Sequence, residues 1–244
     1  MGSLKPPSTK PPAAKPPSQM PPSLKPGGGR PIEDPYFALP DETPFTPGSS
    51  PFRIKGWGYE GDVRFYEEFV PGGAAGIIRL VHEKDPAMAS FLGRKFTPDG
   101  WYDVIPKLYQ SQAAARLRGL EYQVHCRELS RWHAQDKFSG IYRPLLKVVS
   151  SEMLAVWIPR LSSTFYDFGS TESRVAGAKL VRVTRFGMPR VTVQWWAAAA
   201  TGYFEYVLLT AGARHPQIRW LPTEPDGERL GMDLVKMPFE ITWA

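Results

Sequence analysis

His125, Cys126 and His133 are the residues whose types could bind a metal, and their spacing argues against it. On a helix, neighbouring side chains diverge by about 100°, so His125 and Cys126 face different ways and His133 falls more than two turns on. A zinc site needs four converging ligands, and no fourth is in view. Asp167, between Tyr166 and Phe168, is the one acid in an aromatic setting and the best candidate for a general base. Gly169 and Ser170 beside it suggest a turn instead. The run Gly56-Trp57-Gly58-Tyr59-Glu60-Gly61 has the glycines of a phosphate-cradling loop but no strand-loop-helix context in the sequence. No HExxH motif and no Ser-His-Asp order is present. The expectation is a non-catalytic chain with no cofactor, no metal and no small-molecule substrate.

Two basic clusters remain. Arg116, Arg118, Arg127 and Arg131 crowd one helical region, with Arg127 and Arg131 one turn apart on a shared face. Arg182, Arg185 and Arg190 surround one expected hairpin. Each cluster reads either as a solvated face, the first partly paired with Glu121 and Glu128, or as a phosphate contact for which the guanidinium fork is suited.

The strongest charge asymmetry lies at the N-terminus. Lys5, Lys10 and Lys15 each precede a Pro pair, Lys25-Pro26 and Arg30 follow, and no acid occurs before Glu33. These five cations nearly account for the net charge of +6. Repeated Pro forbids helix and inner strand, so an extended arm is expected, about 90 Å long at full polyproline extension. Pro pairs five apart contain no PxxP, which leaves a solvated linker or a cationic arm laid on nucleic acid or anionic lipid.

The elements that must position these groups follow from periodicity. The 244 residues, 13% of them aromatic with eight Trp, suffice for one core without staples. The single Cys126 excludes an internal disulfide and suits a reducing compartment. Strands are expected at Val63–Phe69 and Gly76–Val81. Helical signals begin at Asp99, with Pro106 in the first turn, and continue through Gly119 to Trp132. A further helix, Lys137–Val149, would start at an Asp136 cap, and another at Ser150 or Ser151 would end before Pro159. Strands are then expected at Lys179–Phe186, Arg190–Trp196, Tyr203–Leu209, Gln217–Leu221 and Phe239–Trp243. Turns at Gly187-Met188-Pro189 and Pro225-Asp226-Gly227 separate them. In the second strand, Trp195 and Trp196 would place one indole on each sheet face. Helices followed by antiparallel strands make an α+β domain.

Leu145–Met153, Ala178–Val183 and Arg190–Trp195, in that order, resemble the Tim-forty-four-like superfamily, over roughly residues 100–244. The resemblance implies a nuclear-transport-factor-two-like cone of curved antiparallel sheet packed on helices. It divides the chain into an arm over 1–50, an irregular extension with short strands over 51–98, and the α+β domain over 99–244. The ribosomal branch of that superfamily has a long cationic extension. It implies a structural component of the mitochondrial large ribosomal subunit near the polypeptide exit, in the matrix at the inner membrane. Its partners would be rRNA, neighbouring ribosomal proteins and anionic lipid, with Lys5, Lys10, Lys15, Lys25, Arg30 and both Arg clusters as candidate RNA contacts. The alternatives are an inner-membrane adaptor without rRNA contact and, less favoured, a small-molecule-binding cone enzyme.

Overall fold

The fold is that of a computed structural model, which describes residues 44–138 and 149–244. Strand β1 (Arg53–Lys55) pairs antiparallel with β2 (Trp101–Asp103). Between them run α1 (Trp57–Phe69), α2 (Gly73–Lys84) and α3 (Pro86–Leu92). On α1 the buried positions are Gly58, Tyr59, Gly61, Asp62, Phe65 and Tyr66. That three-and-four spacing gives a helix one inward face. The strands expected at Val63–Phe69 and Gly76–Val81 are therefore helical; their aromatic and β-branched residues fill a helix face instead of a pleat.

Helix α4 (Ile105–Arg118) carries Pro106 in its first turn, as its spacing predicts. Asp103 anchors its start: Oδ1 accepts from the Ile105 amide at 2.9 Å and from the Ser50 hydroxyl at 2.5 Å. The helix does not continue through Gly119. There φ is +63°, and the Leu120 amide reaches back to the Ala115 carbonyl at 3.0 Å. This left-handed closure favours glycine. Helix α5 (Tyr122–Lys137) contains Asp136, which is thus no cap, and the rest of the helix expected to follow lies outside the described residues up to 148. Helix α6 (Ser151–Arg160) begins where expected, with the Met153 amide donating to Ser150 Oγ at 3.2 Å. It includes Pro159 and passes into a 3₁₀ turn, Leu161–Thr164.

The second half is an antiparallel sheet, so the α+β class holds. Its strands are β3 (Ser170–Gly177), β4 (Leu180–Pro189), β5 (Gln217–Trp220), β6 (Glu224–Arg229) and β7 (Met232–Thr242). The order is β3-β4-β7-β5, with β6 continuing along the β5 side of β7. Where a turn was expected at Gly187, β4 carries a register shift between Arg185 and Met188, with Gly187 at φ +63°. The Pro225-Asp226-Gly227 turn is likewise a register shift, within β6. The larger departure lies between β4 and β5. Val193–Thr210 is one 18-residue helix, α7, preceded by a short 3₁₀ turn. It absorbs the strands expected at Arg190–Trp196 and Tyr203–Leu209. Its Ala197–Ala200 run has the highest helix propensity available, and alternation over seven residues could not compete with it. Trp195 and Trp196 are both buried, so neither indole faces a partner.

Helices α5 and α7 pack closest at Gly202. A Cβ there would lie 2.1 Å from the Arg127 carbonyl oxygen and 2.9 Å from its carbon. Backbone cannot retreat as a side-chain tip can, so Gly202→Ala should destabilise by about 3 kcal/mol, at the upper end of ordinary overpacking. Urea denaturation measures it; a loss below about 1 kcal/mol would mean that the crossing can open.

Candidate functional site

Helices α1, α4 and α5 meet α6 and α7 around a cavity of about 110 Å³. Its walls are chiefly apolar: Ile54, Trp57, Leu129, Ile158, Phe165, Trp195, Trp196, Ala199, Ala200 and Phe204. Cys126, Ser130 and His133 reach it from one stripe of α5, because residues three, four and seven apart share a helix face. Ser162, Tyr166 and Tyr203 supply hydroxyls from the other side.

One edge of the cavity is a buried charge network. Asp62 on α1 accepts a short hydrogen bond from the Lys107 ammonium of α4 and faces His133 Nε2 at 2.8 Å. Lys107 also donates to the Gly58 carbonyl at 3.1 Å and lies over the Tyr59 ring. The side chains of Asp62 and Lys107 are only 2% and 4% exposed. Burial alone would raise the Asp62 carboxyl, but Lys107 and His133 together outweigh it and hold the group below its ordinary range. Glycines make the approach possible: a Cβ on Gly61 would sit 2.4 Å from His133 Cε1. The glycine run read as lacking strand-loop-helix context does join β1 to α1, and its glycines admit neighbouring groups closely.

Arg185 lies behind the wall formed by Ser162, Tyr166 and Trp196, outside the cavity lining itself. It is fully buried and has no carboxylate partner among the described residues. Its guanidinium donates to Ser162 Oγ at 2.6 Å, Thr171 Oγ1 at 3.1 Å and the Phe168 carbonyl at 3.0 Å, and lies over Tyr166 and Trp196. Burial lowers its pKa to about 10, which still leaves it charged at neutral pH. Burial also keeps the nearby hydroxyls and thiol neutral. Tyr166 is pushed up to about 12, and Tyr203 and Cys126 are raised well above their ordinary values.

The remaining residues singled out in the sequence are dispersed. His125 is buried beside Phe65 and Tyr66, outside the cavity lining, with Nδ1 3.1 Å from Arg118 and Nε2 without a partner among the described residues. Asp167 clips β1, accepting from the Arg53 amide at 2.7 Å and from its guanidinium. Arg118 pairs with Glu128 at 2.8 Å, and Arg127 forks onto Glu205 of α7 at 2.6 Å. Arg182 pairs with Glu240 at 3.1 Å and Arg190 faces Asp233 at 3.4 Å. Arg116 is exposed at the end of α4, and Arg131 is half-buried on α5. Lys5, Lys10, Lys15, Lys25 and Arg30 lie outside the described residues. Asp62 and Lys107, the charged pair at the cavity, were not singled out at all. For the cavity itself the available signal was the seven-residue step from Cys126 to His133 on α5.

No protein-family model matches the sequence, and no curated protein matches it significantly. The fold, however, matches solved H-NOX domains. One is a variant of the Cs H-NOX domain, at TM-score 0.55 and 10% identity over 78% of this chain and 96% of that one. Another is a variant of the T. tengcongensis domain, at TM-score 0.54 and 10% identity over 78% and 97%. A third is an oxygen-binding H-NOX domain related to soluble guanylate cyclases, at TM-score 0.53 and 10% identity over 78% and 95%. At this identity the likeness concerns the fold. It overturns the Tim-forty-four-like assignment. With that fall the ribosomal role, the rRNA, ribosomal-protein and lipid partners, and the expectation of no small-molecule ligand.

H-NOX structures are described as haem proteins, and the residues here do not fit that group. The cavity, at about 110 Å³, is below the roughly 300–1,000 Å³ of pockets that take drug-sized ligands. His133 Nε2 is engaged by Asp62, the Cys126 thiol is held protonated, and His125 lies outside the lining. The cations that could grip haem carboxylates are spent, Lys107 on Asp62 and Arg185 on Ser162, Thr171 and Phe168. Among the described residues no three His, Cys, Asp or Glu side chains are placed to hold a metal ion.

Proposed function

We propose that this chain is a non-catalytic ligand-binding module of the sensor type, in which a small, neutral, largely apolar molecule occupies the cavity among α1, α4, α5, α6 and α7. The observation that carries this reading is the apolar cavity whose one charged edge, Asp62 with Lys107, is already neutralised from within. Its volume is comparable with the roughly 150 Å³ apolar cavities that admit a benzene ring. An ionic ligand would shed its hydration and find Lys107 and Asp62 already paired, a cost of several kcal/mol. A neutral ligand loses little, and the protonated phenols of Tyr166 and Tyr203 can donate to one oxygen on it. Because the walls come from α1, α4, α5, α6 and α7, occupancy bears on the packing of these helices against one another. That coupling supports a sensing role.

Calorimetry with phenol and cyclohexanol tests this, with benzoate as the ionic control. The neutral compounds should bind with a Kd of about 0.1–1 mM, or roughly −4 to −5.5 kcal/mol, and benzoate at least tenfold more weakly. Ala199→Leu fills the cavity. It should abolish binding while leaving stability equal or higher by about 0.5–2 kcal/mol, as cavity-filling substitutions commonly do. Equal binding of phenol by this variant would place the ligand elsewhere.

A further inference from the structure

The side of the sheet facing away from α6 and α7 carries a row of charges set by strand register. Arg174 on β3 is opposite Arg182 on β4, Arg182 is opposite Glu240 on β7, and Glu240 is opposite Arg219 on β5. Directly paired residues in an antiparallel sheet point to the same face. Arg182 and Arg219 are 56% and 68% exposed, and both hold the single Glu240 carboxylate, at 3.1 and 2.5 Å. Hydrogen bonds from Arg219, then Arg182, lower the pKa of that carboxyl. The row therefore carries three guanidiniums for one acid. Arg174, exposed and directly opposite Arg182, is placed where like charges cost stability. Beside the row runs a groove of about 810 Å³, with Leu221 and Pro238 giving it an apolar wall.

We infer that this face docks an extended acidic segment of a partner protein, its carboxylates seated on Arg174, Arg182 and Arg219 and an apolar side chain against Leu221 and Pro238. The missing counter-charge identifies the chemistry. Arg182 and Arg219 stand two strands apart, about 10 Å at the usual strand pitch. A peptide in polyproline II, with three residues per turn, puts acids three residues apart on one face about 9 Å apart, nearly the same length. Glu172 and Glu240 within the face disfavour a phosphodiester chain, which bears a charge at every residue, whereas a peptide can place neutral residues over them.

The test uses the full chain and a fluorescein-labelled twelve-residue peptide, four repeats of Glu-Leu-Ser, read by anisotropy. Its Gln counterpart and a twelve-nucleotide oligothymidylate are the controls. The Glu peptide should bind and the Gln peptide should not. Arg174→Ala with Arg219→Ala should weaken Glu-peptide binding roughly tenfold and flatten its salt dependence. Arg174→Ala alone should weaken it about threefold with Tm equal or slightly raised, since this side chain makes no ion pair among the described residues and faces Arg182. No binding by the wild-type chain would overturn the inference, as would an affinity insensitive to both variants, which would put the peptide on the N-terminal cations. Oligothymidylate binding more tightly and losing the same factor in the double variant would overturn it too, by making the face a nucleic-acid surface.

Discussion

Asp62→Asn should destabilise the protein by about 3–5 kcal/mol at pH 7, because it leaves the Lys107 ammonium in a dry site without its carboxylate. Against a typical total of about 5–15 kcal/mol this approaches unfolding. Urea denaturation reads it, and the companion variant separates charge from shape. Asp62→Asn with Lys107→Met removes the stranded cation and should recover most of the loss, since a buried pair exceeds a well-packed apolar replacement by little. Equal instability of the single and double variants would show that packing, not charge, holds this corner. The same pair predicts an acid limb. The folded carboxyl titrates below its unfolded value of about 3.9, so the unfolded chain takes up the proton first as pH falls. The stability Asp62 contributes is present above about pH 4 and is lost below it, and the double variant should lack that component.

His125 gives a second pH dependence in a different window. Desolvation, reinforced by the Arg118 guanidinium and partly opposed by Asp62, holds its pKa down to about 3, against about 6.5 unfolded. The folded ring stays neutral while the unfolded one charges. Stability is therefore lost as pH falls from about 6.5 towards 3, at up to about 1.4 kcal/mol per pH unit. By pH 5 the loss is about 2 kcal/mol. His125→Phe keeps a flat ring beside Tyr66 and removes the unpartnered Nε2, while Arg118 retains Glu128. This variant should lie within about 1 kcal/mol of wild type at pH 7.5 and exceed it at pH 5. Parallel stability curves for the two proteins between pH 7.5 and 5 would contradict the burial of a neutral imidazole.

Strands β4, β5 and the end of β7 from Phe239 were legible because half-buried alternation of Val, Ile and Phe leaves few other arrangements, whereas residues 232–238 of β7 were not. The start of α6 was legible through Ser150, whose hydroxyl has a local partner three residues on. Helices α1, α2 and α7 were not, and the causes differ. In α1 and α2, aromatic and β-branched residues carry strand propensity, and only packing of their three-and-four positions on neighbouring helices makes them helical. In α7, the alternation of Arg190–Trp196 outweighed the alanine run that follows it in the reading, though not in the fold. Arg185 was grouped with surface arginines although the parity of Val181, Val183 and Arg185 already placed it inward. At the cavity, Cys126 and His133 share a face that their seven-residue spacing could have revealed. The Asp62–Lys107 pair was beyond reach, since it depends on how α1 crosses α4, 45 residues apart in sequence.

The proposed function requires that the cavity of this H-NOX-like fold hold a small neutral molecule and no haem. A crystal of the full chain soaked with 4-iodophenol tests it most directly, because the iodine scatters anomalously and marks its own position. One strong anomalous peak is expected among Leu129, Ala199 and Phe204, with the ligand hydroxyl within hydrogen-bond distance of Tyr166 or Tyr203, and no peak in crystals of Ala199→Leu. An empty cavity in the soaked wild-type crystal, or density for a porphyrin coordinated by His133 or Cys126, would contradict it.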